Sequence, residues 1–299
     1  MAKSAMLSCK SGRFGGVAER LELLMFQRAG SNKRLSISVL GLAMAVHVAL
    51  MLVFIFILFP SDVLKLLVAP AYGLVTATLV ANLILLAAVV GIVLSFLGSL
   101  RLPDFGLCSR DLPIALVLTI SVWIVVNMTE GAWQFAANGA VSWGGAWQRL
   151  GVTAAIGALV AQLFGNALYE EIFFRGVLLR QFYWRLGPET THLQKFQKLA
   201  IALAISQSLF ALIHLPILLS GGASPIAALA RLPAIFSAGS ALAILYARSD
   251  NLALCVGIHS LANKPTLLLA DCFDIPNNLL FVTVTCLVLA ALWRRDKIR

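Results

Sequence analysis

Two adjacent glutamates interrupt a long apolar stretch of this sequence. Glu170 and Glu171 lie within the segment LYEEIFFR at residues 168–175. A charged side chain inside a bilayer costs roughly 2.5–3.5 kcal/mol even on the more lenient insertion scale, so it is retained where it is paired or functional. Two carboxylates in different environments can divide the acid and base roles of a hydrolytic reaction. The pair is therefore a candidate catalytic site.

The spacing of the next cation assigns different tasks to the two glutamates. Arg175 follows Glu171 by four residues, so the two share a helix face and can form an ion pair. Glu170 is rotated by about 100° from Glu171 and can face a cavity. We expect Glu170 to act as general base, taking a proton from water and passing it to the leaving amine. For Glu171 and Arg175 the alternative is an ion pair that only joins two helices.

Two more polar insertions occur in later apolar segments. His214 follows Phe210 by four residues, and His259 precedes Asn263 by four, which places the latter two on one helix face. That pair could bind a metal or donate hydrogen bonds to an oxyanion. Together with Glu170, the two histidines form a candidate site for a divalent metal, zinc first. Without a metal, His214 and Glu170 could still polarise a water molecule, and the sequence leaves both schemes open.

The composition defines the elements that must position these residues. Hydrophobic residues make up 60% of the chain and charged residues 12%, against about 45–50% and about 25% in soluble domains. Several apolar runs reach the roughly 20 residues that a membrane-spanning helix needs, and the alternation of a lipid-facing barrel is absent. We therefore predict an all-α, polytopic membrane bundle with an intramembrane polar chamber. The lipid bilayer is its first partner.

The net charge of +10 does not indicate nucleic acid binding, because the basic residues lie in tails and short loops. Basic residues at both ends place both termini in the cytoplasm and require an even number of crossings. His47, in the first apolar run, has no partner in its sequence neighbourhood, so we expect it to be structural.

Eight spans fit the hydrophobic pattern. We predict them near residues 35–59, 72–98, 112–128, 150–183, 199–219, 225–247, 252–271 and 277–293. The chain then divides into four parts: a basic cytoplasmic tail with a possible amphipathic segment (1–34), three N-terminal transmembrane helices (35–149), a catalytic core (150–271), and a last transmembrane helix with a second basic tail (272–299).

The predicted depths of the polar residues are compatible with one chamber. At 1.5 Å per residue, Glu170 lies about 20 Å along its helix from the cytoplasmic end, and His214 lies about 22 Å from the end of its own helix. By the same rise, His259 and Asn263 lie about 11–17 Å from theirs. All four groups can therefore meet on the cytoplasmic side of the membrane or near its midplane.

The three polar insertions together resemble the motifs of a known family. They occur in order on three hydrophobic segments, as E-E-x-x-x-R at 170–175, F-x-x-x-H at 210–214 and H-x-x-x-N at 259–263. This set is similar to that of the CPBP intramembrane metalloproteases, also called the Abi or type II CAAX prenyl endopeptidase family. The segment LYARSDNL at 245–252, before the third motif, is also of the kind found there.

The resemblance implies an eight-helix bundle with a chamber open toward the cytoplasm, and a protease that cleaves peptide bonds near the membrane surface. It implies that Glu170 and His214 activate the water and that Glu171 and Arg175 hold the site together. His259 and Asn263 would bind metal or stabilise the oxyanion. The expected substrate is a peptide or membrane-anchored protein, such as a CAAX-type tail, a leader or a signal peptide. The expected location is a bacterial or archaeal cell membrane.

Two other functions remain open from the sequence. The first is a non-catalytic immunity or scaffold protein that uses the same fold to hold another polypeptide. The second is a transporter or ion-conducting protein with a buried glutamate–histidine relay. That relay needs a continuous polar path, whereas the charges here cluster at one place.

Overall fold

The computed structural model describes residues 33–143, 147–148, 151–188, 191–263, 268–269 and 275–293, without the side chains at 275–278 and 281. Most of the predicted basic tail and its amphipathic segment lie outside the described residues, as does the C-terminal basic tail. The helices of the described part are α1 (Ile37–Leu58), α2 (Val63–Val68), α3 (Ala77–Leu97), α4 (Leu112–Asn138), α5 (Val152–Arg185), α6 (His192–Leu212), α7 (Leu215–Ser220), α8 (Pro225–Ser249), α9 (Leu252–Asn263) and α10 (Ile275–Leu292).

The chain is a polytopic helical bundle, as predicted. In the described part, six helical segments are long and apolar enough to cross a membrane: α1, α3, α4, α5, α6 with α7, and α8. α9 and the C-terminal part of α10 are shorter apolar helices. Within these residues there is no β-strand, only an isolated bridge between Trp143 and Leu269.

Three predicted spans differ from the observed helices. The fifth begins seven residues earlier than predicted. The third continues to Asn138 instead of ending near residue 128. Polar residues such as Glu130 and Gln134 are buried in its last turns, and the helix ends only where Gly139 adopts φ 69°. A left-handed residue of this kind is a common helix terminator. The seventh covers Leu252–Asn263 as helix α9, and residues 268 and 269 are not helical, while the rest of its predicted range lies outside the described residues.

Local sequence signals set the starts of several helices. The side chains of Ser36, Thr76 and Ser224 accept hydrogen bonds from backbone N–H groups in the first turns of α1, α3 and α8. Thr191 and Gln194 form a reciprocal capping box at the start of α6. Such caps satisfy N–H groups that have no partner within the helix. The helices therefore begin at residues that the sequence marks.

Helix α5 is the central element of the bundle. It packs against α6 and α9, while α9 also packs against α4 and α8 packs against α6 and α10. Residues 171–179 are all buried, whereas α4 exposes most of its surface. Two segments of α5, Gln162–Asn166 and Glu171–Leu179, are wound as π-helix. Such segments are frequent at functional sites.

Segments predicted to face the cytoplasm meet at one end of the bundle. Lys33 Nζ donates to the Ser99 carbonyl at 2.9 Å, and Gln181 Nε2 donates to the Lys33 carbonyl at 2.8 Å. Asn251 Nδ2 donates to the Asp111 carbonyl at 3.2 Å. The start of α1, the end of α3, the end of α5 and the α8–α9 turn therefore lie on the same side, as an alternating path of spans requires.

Candidate active site

The ion pair predicted from the spacing in α5 is present and fully buried. Arg175 Nη1 donates to Glu171 Oε1 at 2.9 Å, and neither side chain is exposed. Arg175 Nη2 donates to the Gly239 carbonyl of α8 at 3.1 Å, and its guanidinium lies 4.3 Å from the ring centre of Phe210 in α6. A single arginine therefore joins α5, α6 and α8 beside the two carboxylates.

His259 of α9 lies between the two glutamates. Its Nδ1 is 2.7 Å from Glu171 Oε1, and its Nε2 is 3.5 Å from Glu170 Oε2. A carboxylate accepts hydrogen bonds, so the Nδ1–H of His259 donates to Glu171. This contact fixes the tautomer and the ring orientation, as carboxylates commonly do for functional histidines. The Nε2 of the ring is thereby aimed at Glu170.

Glu170 differs from its neighbour in its polar contacts. Its Oε2 is buried and has no hydrogen-bond partner among the described residues. The distance of 3.5 Å to His259 Nε2 is long for a hydrogen bond. Two lone pairs that face each other across this gap repel, so the position favours a proton, a water hydrogen or a cation between them. Glu171 is paired with Arg175 at 2.9 Å, whereas the contact of Glu170 Oε2 is with the His259 ring.

His214 lies where the fifth predicted span breaks between α6 and α7. Pro216 in the first turn of α7 lacks the N–H that would continue the helix. His214 Nδ1 is 2.7 Å from the Phe210 carbonyl, so it donates there, and its Nε2 has no hydrogen-bond partner within the described part of the chain. The rings of His214 and Phe210 are 4.8 Å apart, and Phe210 is 6.3 Å from His259. The second and third motifs therefore meet at the Phe210 ring.

Asn263 is a predicted site residue whose described hydrogen bond is to a residue outside the predicted set. It is exposed at the end of α9, and its Nδ2 donates to Gln162 Oε1 at 2.9 Å. Gln162 begins the first π-helical segment of α5. Gln162 was not predicted from the sequence. An uncharged polar side chain on an apolar helix, eight positions before Glu170, could have indicated that it belongs to the site.

The three predicted metal ligands do not form a ready metal site. Among the described residues, no group of three or more His, Cys, Asp or Glu side chains is arranged to hold a metal ion. Glu170 and His259 approach each other, but His214 bonds to its own helix. The residue types suit zinc while their present arrangement does not, so zinc stays a prediction.

The structure also gives His47 a partner. Its Nδ1 is 2.6 Å from the hydroxyl of Tyr169, the residue that precedes Glu170. The two positions are 122 residues apart, so no local pattern could have linked them.

An apolar groove runs beside the site. It has a volume of about 870 Å³ and lies between α4, α5 and α9. Its lining is almost entirely apolar and includes Leu116, Trp123, Leu168, Ala253 and Leu261. The hydroxyls of Thr119 and Ser260 are exceptions. Leu168 and Ser260 are close in sequence to Glu170 and His259, so the groove adjoins the helices that carry the carboxylates and the histidine.

Comparison with known proteins identifies the class of the site. Residues 151–264 match the model of the type II CAAX prenyl endopeptidase Rce1-like family. The chain therefore carries an Rce1-like domain, consistent with the CPBP resemblance of its motifs, and all three motifs fall inside it. The match supports a CAAX-type intramembrane protease at the level of the family. Comparison with curated proteins and with solved structures found no match.

Proposed function

We propose that this protein is an intramembrane endopeptidase that hydrolyses a peptide bond of a membrane-anchored protein, using water activated by Glu170. The observation that carries the proposal is the unpaired Glu170 Oε2, buried opposite His259 Nε2. A buried carboxylate without a partner is costly unless it has a task.

The reaction follows from the roles left to each side chain. Glu170 takes a proton from water while the water oxygen attacks the carbonyl carbon of the substrate. When the tetrahedral intermediate collapses, the C–N bond breaks and Glu170 returns the proton to the departing amine. His259, held by Glu171, presents a ring nitrogen to the water from the opposite side.

The two remaining motif residues suit different tasks in this scheme. With its Nδ1–H donated to the Phe210 carbonyl, a neutral His214 has an Nε2 that accepts, which suits contact with a water hydrogen. Asn263 uses one amide hydrogen on Gln162 and keeps another for the substrate oxyanion. We propose these roles for His214 and Asn263 on the chemistry of their free atoms.

We further propose that the groove beside the site receives the apolar anchor of the substrate. The family name specifies a CAAX prenyl endopeptidase, and the groove offers an apolar surface on α5 and α9, the helices that carry the carboxylates and His259. Its volume of about 870 Å³ is in the range of about 300–1,000 Å³ typical of ligand pockets. Burial of the hydrocarbon anchor in the groove would then position the scissile bond, without specific recognition of the side chains of the substrate.

Cleavage of a quenched-fluorescent peptide library by detergent-purified protein tests this proposal, with Glu170→Ala beside the wild type. We expect cleavage that the variant lacks although it still folds and inserts into membranes. Parallel samples with a chelator, and with zinc added back, test the predicted metal. Cleavage at the wild-type rate in Glu170→Ala would contradict the role of this carboxylate. Full biological effect without any cleavage would favour the immunity or scaffold alternative.

A further inference from the structure

Helix α1 lies outside the Rce1-like segment but sends one polar side chain to it. His47 is 1% exposed, and Tyr169 of α5 is equally buried. The distance of 2.6 Å between His47 Nδ1 and the Tyr169 hydroxyl is that of a strong hydrogen bond. His47 Nε2 is buried and has no hydrogen-bond partner among the described residues. The imidazole therefore makes one hydrogen bond among the described residues, and it is to Tyr169.

Packing alone does not account for a histidine at this position. The His47 ring lies 5.1 Å from Phe173 and 5.9 Å from Phe174, in an aromatic cluster that a phenylalanine could also fill. Burying an imidazole among apolar side chains costs free energy unless its polar atoms are used. The atom in use is Nδ1, and its only described partner is the hydroxyl that precedes Glu170.

The contact falls where the backbone of α5 changes its winding. Ala167–Glu170 is α-helical, and the π-helical segment begins at Glu171. The direction of the Glu170 side chain depends on where this change occurs, since π- and α-turns differ in residues per turn. A hydrogen bond from a separate helix to Tyr169 fixes the last residue before the two carboxylates.

The aromatic cluster continues from His47 to His214 of the second motif. Phe174 is 5.1 Å from Phe210, and Phe210 is 4.8 Å from His214. A displacement of α1 would therefore shift Glu170 through the His47–Tyr169 hydrogen bond, and it would shift His214 through the packed rings of Phe174 and Phe210.

We infer that His47 and Tyr169 form a positioning pair for Glu170, through which the first transmembrane helix orients the general base. This inference rests on the proposed peptidase function. Neither residue contacts the substrate in this scheme; the pair acts through the orientation of Glu170.

The test compares four single variants and one double variant, Tyr169→Phe with His47→Leu, with the wild type under steady-state conditions, on the best peptide from the library. Tyr169→Phe removes only the hydroxyl, and His47→Leu removes the hydrogen bond from the other side. His47→Asn keeps a polar atom near the position of Nδ1. Leu40→Ala removes a buried side chain elsewhere on α1 and serves as the control for packing.

We expect Tyr169→Phe and His47→Leu each to lower kcat by about 10- to 100-fold, the range found when the groups that orient an active-site ligand are removed, with KM nearly unchanged. The double variant should be no slower than the slower single variant, because the pair acts as a unit. His47→Asn should recover most of kcat, and Leu40→Ala should lower thermal stability but not kcat.

Wild-type kcat in Tyr169→Phe, or an equal loss in Leu40→Ala, would overturn the inference and reduce the pair to a packing contact. The peptidase function would survive that result if Glu170→Ala were still inactive. If the wild type cleaves no substrate, the proposed function and the positioning role fail together.

Discussion

At the scale of single residues, two neighbouring glutamates occupy unlike environments. Oε1 of Glu171 accepts from Arg175 at 2.9 Å and from His259 at 2.7 Å, while Oε2 of Glu170 makes no hydrogen bond among the described residues and lies 3.5 Å from His259 Nε2. The four-residue spacing was enough to predict the Glu171–Arg175 pair. The contact of Arg175 with the Gly239 carbonyl, 64 residues away, depends on how α8 packs, and a local pattern does not contain it.

Arg175 carries the stability of the site. Arg175→Met keeps the side-chain volume but leaves Glu171 without its cation. We expect a loss of about 3–5 kcal/mol in unfolding free energy, as for a broken buried ion pair. Adding Glu171→Gln should restore part of it, because the stranded charge is then removed. Unfolding in mixed detergent micelles measures both, and a loss below about 1 kcal/mol, typical of a surface pair, would contradict this assignment.

At the scale of the elements, hydrophobic runs predicted that helices exist but not always where they end. The end of α4 depends on Gly139, and the polar side chains of Glu130 and Gln134 before that end are buried, which hydropathy alone does not predict. The π-helical winding of α5 was also beyond prediction, because the same residues could form a regular α-helix. The polar contacts of Glu171 and Arg175 lie on that π-helical segment, and Glu170 directly precedes it.

Close contact between α9 and α4 depends on a glycine. A Cβ at Gly257 would lie 2.1 Å from Thr119 Oγ1 and 2.9 Å from its Cγ2, whereas a Cβ at Gly41 meets no atom within 4 Å. Gly257→Ala should therefore lower stability by about 1–3 kcal/mol through overpacking, with reduced cleavage because α9 carries His259.

Gly41→Ala is the matched control for this prediction. It should leave stability unchanged or raise it by up to about 1 kcal/mol through helix propensity. Thermal unfolding in detergent compares the two variants. Equal effects at both positions would show that the α4–α9 contact is looser than the structure places it.

At the scale of the whole molecule, three elements outside the polar motifs complete the site. α1 supplies His47, while α4 and the loop before it form one wall of the groove. The sequence located the Rce1-like segment, but the N-terminal helices carry no diagnostic pattern. These helices contribute apolar surface and a single histidine. Neither contribution can be recognised in the sequence, because each depends on contacts with distant residues in the folded chain.

The groove makes a prediction about substrate preference. Ala253→Trp would fill part of the groove, and Ala230→Trp on the exposed face of α8 is its control. Loss of burial for only two CH₂ groups, at about 0.8 kcal/mol each, corresponds to roughly 15-fold weaker binding of an apolar anchor. We therefore expect Ala253→Trp to raise KM for lipid-anchored peptides and to leave short soluble peptides unaffected. An equal change for both substrates would argue against a groove for the anchor.

The most direct test of the account replaces one buried carboxylate at a time. Glu170→Gln keeps the shape of the side chain and removes the base. Glu130→Gln does the same in α4, where Glu130 is fully buried and its Oε1 accepts from Gln134 at 3.2 Å, outside the motifs. In proteoliposomes with a lipid-anchored peptide substrate, we expect Glu170→Gln to lower kcat by at least about 10²-fold, as loss of a general base does, while Glu130→Gln cleaves at nearly the wild-type rate. Wild-type cleavage by Glu170→Gln would contradict the central claim that this carboxylate activates the water.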